Sequence, residues 1–181
     1  PNRAFGTGNQ VEEGEHLENG FPAYSSVWGD KANYGNRGER YLAGVAFLEG
    51  ADKKPSAVMC RGYYTRSYLW AVDFDGKELK SNWLHASLTP NDWKVTDADG
   101  KVLKEAHGCK ATAYAQGAHS LAVGDVDGDV CDEITYGSAA INHDGTLLYS
   151  TGLGHGDAQH LADLDPDRPG LEYYMVHEEY P

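Results

Sequence analysis

Asp125, Asp127, Asp129 and Glu133 form the run D-x-D-x-D-x-x-x-E, and Asp163, Asp165, Asp167 and Glu172 repeat it with one extra residue before the Glu. Short carboxylates at alternate positions of a tight loop converge on one point. A hard cation such as calcium takes about six to eight oxygen ligands, so both loops read as Ca2+ sites. Gly128 lets the first loop turn, whereas Pro166, Pro169 and Gly170 stiffen the second. An EF-hand would need a helix leaving the loop and a Glu at its twelfth position. Ile134-Thr135-Tyr136-Gly137 reads instead as an exiting strand, which excludes it. The plainest role for both ions is structural, stapling one strand to the next.

Imidazoles are a different matter, because a structural calcium loop has no need of them and nitrogen ligands better suit transition metals. His16, His85, His107 and His143 read as side chains satisfied by local hydrogen bonds. His119 stands just before a strand, and His155 sits in Gly154-His155-Gly156-Asp157 before another. His177-Glu178 follows a third, and His160 opens one. If these strands are equivalent edges of repeated units, His119, His155, Asp157 and Glu178 can meet across neighbouring units. That would give a His/His/Asp/Glu metal site at one end of the repeat.

The elements that would position them are strands. Tyr68, Trp70, Val72 and Phe74 alternate with Leu69, Ala71 and Asp73, a period of two. Asp75-Gly76 is a hairpin turn. Tyr41–Leu48, Ser56–Cys60, the alternating stretch and Lys77–Trp83 form a four-stranded antiparallel meander. The same grammar recurs after Leu121, with strands at Glu133–Tyr136, Ala139–Asn142 and Thr146–Ser150. It starts again at His160-Leu161-Ala162-Asp163, with Leu171–Val176 as the second strand. Asp125 and Asp163 are 38 residues apart. Four short strands per repeat of about 40 residues is the pattern of a β-propeller blade.

The fold class is therefore all-β, a β-propeller fragment of antiparallel four-stranded blades. Residues 1–40 read as a loop-rich connection, or else as a further cation loop or cleft rim. Residues 41–181 read as about three blades (41–83, 119–156 and an incomplete 157–181), with a long insertion at 84–118. Since complete rings have roughly four to eight blades, the remaining blades of a parent propeller are expected partners. The chain opens on Pro1 without Met or signal peptide and stops at Pro181, so both ends are expected to be cut.

A chain of 181 residues is long enough for a real core. Its formal net charge of -13 argues against nucleic acid and anionic membrane as partners, and no apolar run is long enough to cross a membrane. Much of that charge is ordinary solvated surface. Cys60, Cys109 and Cys131 have neither disulfide-framework nor zinc spacing.

Several long motifs resemble one family. They are W-G-D…Y-G-N-R-x-E-R-Y-L-A-G-V-A-F-L at 28–48, R-G-Y-Y-T-R at 61–66 and A-x-G-x-H-S-L-x-V-x-D-V-D-G-D at 115–129. Y-G-S-A-A-I-x-x-D-G-T-L-L-Y-S-T-G-L-G-H-G-D-A-x-H at 136–160 and D-P-D-R-P-G-L-E at 165–172 complete the set. Together they resemble the bacterial rhamnogalacturonan lyases of polysaccharide lyase family eleven. The likeness breaks between about Trp83 and Gly117, and Val130-Cys131 stands where the family usually has Gly-Lys.

The resemblance implies an eight-bladed propeller binding several calcium ions, cleaving the rhamnose–galacturonate backbone of pectin (rhamnogalacturonan I) by β-elimination. It implies that His119, His155, Asp157 and Glu178 hold a calcium near the cleft, and that further active-site residues belong to other blades. It also implies a secreted or periplasmic bacterial enzyme. A cation at the uronate carboxylate would stabilise the charge that develops when the C5 proton leaves to a nearby Arg, Lys or His. Arg61 and Arg66 are candidates for binding substrate carboxylates, and Tyr63 and Tyr64 for packing on sugar faces. Against that stands an interblade ion-pair network with two packed aromatics. For a lyase, replacing His155 with Ala is expected to leave thermal stability nearly intact, whereas a purely structural role would show as a large loss of stability. The alternative to a lyase is a non-catalytic calcium-stapled module for glycan or protein adhesion.

Overall fold

The computed structural model describes residues 41–64 and 66–177, together with the short antiparallel pair β1 (Leu17–Glu18) and β2 (Phe21–Pro22). Readings of the rest of 1–40, and of Glu178, fall outside the described residues. Among these residues the chain is all-β, without helix, in several antiparallel sheets.

The first sheet is a six-stranded meander of β3 (Tyr41–Ala46), β4 (Ser56–Arg61), β5 (Ser67–Phe74), β6 (Leu79–Thr89), β7 (Asp92–Thr96) and β8 (Val102–Ala106). The β5–β6 hairpin closes at Asp75-Gly76, as the sequence predicts. The Asp75 carboxylate accepts the backbone N–H of Lys77 and of Glu78. Four strands ending at Trp83 were expected, with 84–118 as a connection. Instead β6 runs on through Ala86 to Thr89, and β7 and β8 add to the same sheet. The hairpin at Asp99-Gly100 is visible in the sequence, as either a degenerate blade or a decorated connection, but its place in the first sheet is not, because β8 is an exposed edge of Val102, Leu103, Lys104 and Glu105 without a buried apolar face.

The second sheet is the four-stranded meander β9 (Ala122–Gly124), β10 (Glu133–Tyr136), β11 (Ala139–Ile141) and β12 (Leu147–Ser150). The third pairs β13 (Gly156–Ala162) with β14 (Glu172–His177). None of the described sheets closes on itself.

Strands β10 and β11 are buried along their whole length, because the second sheet is packed on both faces. On one side Ile134, Tyr136 and Ile141 join Val58, Leu69, Trp83 and Val95 of the first sheet in one core. On the other side Gln159 of β13 reaches across. Its amide donates to Ser120 O and Thr135 O at 3.0 Å each, and its carbonyl accepts Gly137 N–H at 3.0 Å. One buried amide thus satisfies three backbone groups that would otherwise lie dry. The first strands of the three sheets lie side by side, with β9 touching both β3 and β13. Gly44 permits this approach, since a Cβ there would sit 2.8 Å from Leu121.

The two larger sheets are also joined by polar contacts from β6. Trp83 Nε1 donates to His143 O at 2.8 Å, and His85 Nδ1 donates to Gly145 O at 2.8 Å. The second His85 nitrogen accepts from the Ser87 hydroxyl, whose oxygen accepts the Ala113 N–H. Both ring nitrogens are therefore partnered with the imidazole neutral. The local-hydrogen-bond reading of His85 holds, and burial lowers its pKa from 6.5 to about 4.

Between those two values the unfolded chain binds a proton that the folded chain does not. The contribution of His85 is complete above about pH 6.5 and is lost as pH falls towards 4. The slope is at most about 1.4 kcal/mol per pH unit. Denaturant midpoints measured across this window are expected to fall with acidification, and His85→Gln, which cannot take up the charge, to flatten that part of the curve.

Candidate metal centre

A single parallel bridge, Ala118 beside Gly156, joins the segment entering β9 to the start of β13. His119 N–H donates to Asp157 O at 3.1 Å, and Gly156 N–H to Gly117 O at 3.4 Å. Gly117 is the joint of this seam. Its own N–H donates to Tyr63 O at 3.2 Å, and a Cβ would lie 2.5 Å from Tyr63 Cβ. No other residue type fits so close to the turn after β4.

The seam brings three of the expected ligands together. His119, His155 and Asp157 each offer a ligand atom, all within 4.8 Å of one another. The imidazole centroids are 4.9 Å apart, and His119 Nδ1 is 3.3 Å from Asp157 Oδ1. His155 is 2 % exposed, and its Nδ1 lies 2.6 Å from Gly117 O. A carbonyl only accepts, so Nδ1 carries the proton and Nε2 carries the lone pair a metal uses. Tyr63 meets His119 edge-on at 5.3 Å and His155 at 4.7 Å, while Tyr64 covers His155 at 4.1 Å. The rings are thereby held on their dry side, while Asp157 remains half exposed. His177 ends β14 opposite Gly156, with its Nδ1 3.5 Å from Ser138 Oγ, and is not one of the three. His160 pairs with Tyr174 along β13.

The first acidic loop divides. Asp125, Asp127 and Glu133 come within 4.8 Å of one another. Asp125 organises the turn by accepting the N–H groups of Gly128, Asp129 and Val130. Glu133 is buried. Its Oε2 accepts Val126 N–H at 3.0 Å, while its shielded Oε1 has no hydrogen-bond partner. Desolvation, and then the neighbouring Asp carboxylates, raise its pKa. Three carboxylates around a dry oxygen fit a hard cation, which would reverse that electrostatic sign. Asp132 ties the loop to the first sheet through a 2.7 Å bond from Phe47 N–H.

Asp129, expected with this group, instead faces Cys131 and His143. In the second loop the Glu172 carboxylate is taken up by the N–H groups of Leu164 and Asp165, which hold its pKa low, and Asp165 accepts the Asp167 N–H. Asp163, Asp165, Asp167 and Glu172 do not gather as the first loop does among the described residues.

The basic turn lies under the site rather than over it. Arg61 is 3 % exposed with its guanidinium 5.4 Å from the Tyr41 ring centroid, and Tyr63 is 2 % exposed. A sugar cannot stack on a face already covered, so Arg61 and Tyr63 are packing residues here. Arg66 and Tyr64 are half-buried. The burial of His155 also revises the expected effect of removing it, because His155→Ala would empty a packed position and lose stability as well. Sequence reasoning missed Gly117 and Gln159, although the glycines beside both histidines were a visible sign of close backbone approach.

Antiparallel sheets packed together, with two imidazoles and a carboxylate brought within 4.8 Å at one seam, define an all-β module with a candidate metal site. The chain belongs to the rhamnogalacturonan lyase family 11, matching its C-terminal domain over residues 15–181. It is 52 % identical over 153 residues to the rhamnogalacturonan exolyase YesX of Bacillus subtilis, covering 84 % of this chain and 21 % of that protein. It is 48 % identical over 162 residues to the rhamnogalacturonan endolyase YesW of the same organism, covering 87 % and 22 %. The crystal structure of the exotype lyase YesX superposes with a TM-score of 0.66 at 49 % identity, over 87 % of this chain and 22 % of the other. The chain thus spans about a fifth of the length of these relatives.

Calcium added to protein stripped with chelator is expected to raise the unfolding free energy by about 2.7 kcal/mol at a hundredfold excess over its Kd. Glu133→Gln is expected to stabilise the stripped protein and to respond less to calcium. Melting curves that do not move with calcium would contradict the reading of Asp125, Asp127 and Glu133 as a cation loop.

Proposed function

We propose that this chain is part of a calcium-dependent rhamnogalacturonan lyase that cleaves the rhamnose–galacturonate backbone of rhamnogalacturonan I by β-elimination. The observation that carries it is the convergence of His119, His155 and Asp157 from two sheets beside a half-exposed carboxylate. Membership of the family and the names of the two Bacillus relatives support the substrate class. The contact of β3, β9 and β13 supports a radial arrangement of blades, and the family supports a larger propeller around them. Glycan attack on a polymer too large to enter a cell supports a secreted or periplasmic protein.

The residues divide the work. Gly117 fixes the tautomer and angle of His155, Tyr63 and Tyr64 exclude water behind it, and Asp157 faces the solvent from which a polymer arrives. Two imidazoles are a nitrogen-rich set for calcium, so the ion needs further oxygens, of which Glu178 is the expected protein donor. The ion, when bound, supplies positive charge for the uronate carboxylate as the C5 proton departs and the C4–oxygen bond breaks. Arg66, only half-buried where Arg61 is buried, remains this turn's candidate for a second uronate. An adhesion module would have no use for paired imidazoles turned towards a carboxylate.

Full-length protein incubated with rhamnogalacturonan I and calcium is expected to release unsaturated, ultraviolet-absorbing products, and chelation to stop it. Asp157→Asn changes a half-exposed side chain, so it should leave melting nearly unchanged while lowering kcat/KM by roughly 10²-fold or more. No absorbance rise with wild-type protein, or full activity in Asp157→Asn, would overturn the proposal.

A further inference from the structure

The outer end of the first sheet carries a cavity of about 280 Å³, open to solvent, beside β6, β7 and β8. Ala86, Leu88, Val102 and the Trp93 side chain give it an apolar floor. The Trp93 indole is held from one side, stacked on His85 with 5.8 Å between centroids and 23° between planes. The Trp70 indole N–H donates to Ser81 and that of Trp83 to His143 O, whereas that of Trp93 has no partner among the described residues. The rim is polar. Asp92 Oδ2 accepts the Thr89 hydroxyl at 2.6 Å, and its Oδ1 accepts Gly108 N–H at 3.1 Å. Those bonds lower its pKa and keep it ionised. His107 stands between two carboxylates, with Nδ1 3.3 Å from Asp92 Oδ1 and Nε2 3.3 Å from Glu105 Oε2. The cavity shares no residue with the imidazole seam or with either acidic loop.

We propose that this cavity binds one neutral sugar unit of the polysaccharide, the rhamnosyl unit and not the uronate. The identity of the polymer rests on the function proposed above. An aromatic floor with acceptors at the mouth complements a sugar, which has an apolar C–H face and an edge of hydroxyl donors. The hydroxyls donate to Asp92 and Glu105, and the unpartnered Trp93 N–H donates to a ring or hydroxyl oxygen. Charge chooses between the two units of the polymer. The carboxylates of Asp92 and Glu105 outnumber the Lys94 ammonium, so a uronate would meet net repulsion in a chain already at -13. Rhamnose is uncharged, and the methyl group on its C5 suits Leu88 and Val102. Small-molecule pockets begin at about 300 Å³, so there is room for one sugar ring and little more. A grip of this kind, away from the seam, raises the effective concentration of a long polymer at the reacting site.

The test is saturation-transfer NMR on full-length, calcium-loaded protein with methyl α-L-rhamnoside and, separately, methyl α-D-galacturonoside. The rhamnoside should bind, with the strongest saturation on its C5 methyl group. Trp93→Ala should weaken that binding by roughly tenfold or more. Trp93 also packs against the core, so Val102→Glu serves as a second variant. Val102 is 41 % exposed, and a Glu there puts charge where the methyl group would sit without disturbing the fold. It should weaken the rhamnoside equally. Any binding of the galacturonoside belongs to the imidazole seam and should be unchanged in both variants. No saturation of the rhamnoside by wild-type protein, full binding in Val102→Glu, or a parallel loss of the galacturonoside would overturn the proposal. Neither monosaccharide has a bond for a lyase to break, so this proposal and the preceding one fail separately.

Discussion

The bridge between Ala118 and Gly156 sets the distance between residues that are 38 apart in sequence. Everything at the imidazole site follows from it. A backbone bond fixes His119 against Asp157, and a side chain bonded to Gly117 fixes His155. The bridge in turn depends on the sheets on either side, because Gln159 and Tyr173 hold β13 and β14 against Gly137 and Thr135. A short seam is precise only when long strands cannot slide past each other. The second sheet, buried on both faces, supplies that rigidity.

Charge imposes the complementary constraint. Carboxylates crowd the loop ahead of β10, and one of them, Glu133, is buried with an oxygen that no donor reaches. Removing a carboxylate from water without compensation is costly. A loop built this way is consistent with a bound cation and strained without one. The loop ahead of β14 has met the same requirement differently, by giving its Glu172 to backbone N–H groups. Two sequence-similar loops thus place their final Glu differently, one beside two Asp carboxylates and the other on backbone N–H groups.

Strands with alternating apolar residues and Asp-Gly hairpins were legible from the chain, as were the three starts at Tyr41, Leu121 and His160. These are local signals, carried by residues close in sequence. The pairing of His119, His155 and Asp157 was legible only because the repeat turns a distance of 36 residues into a neighbour relation. What escaped reading depended on contacts without a local signature. Strand β8 is exposed along nearly its whole length, so the Asp99-Gly100 hairpin it forms with β7 does not by itself show that the pair extends the first sheet. Val130 takes a left-handed backbone beside Asp129, which its residue type does not announce. The sequence left Arg61 and Tyr63 open between substrate contact and packing, and both are buried, one beside Tyr41 and the other against the histidines.

The central claim is that side chains from neighbouring sheets share one divalent ion at the seam. An anomalous-difference map from a crystal of the full-length protein tests it most directly. The account predicts a single peak roughly 2.0–2.6 Å from ring nitrogens of both His119 and His155 and from an oxygen of Asp157. No peak there, or imidazoles turned away from each other, would contradict it.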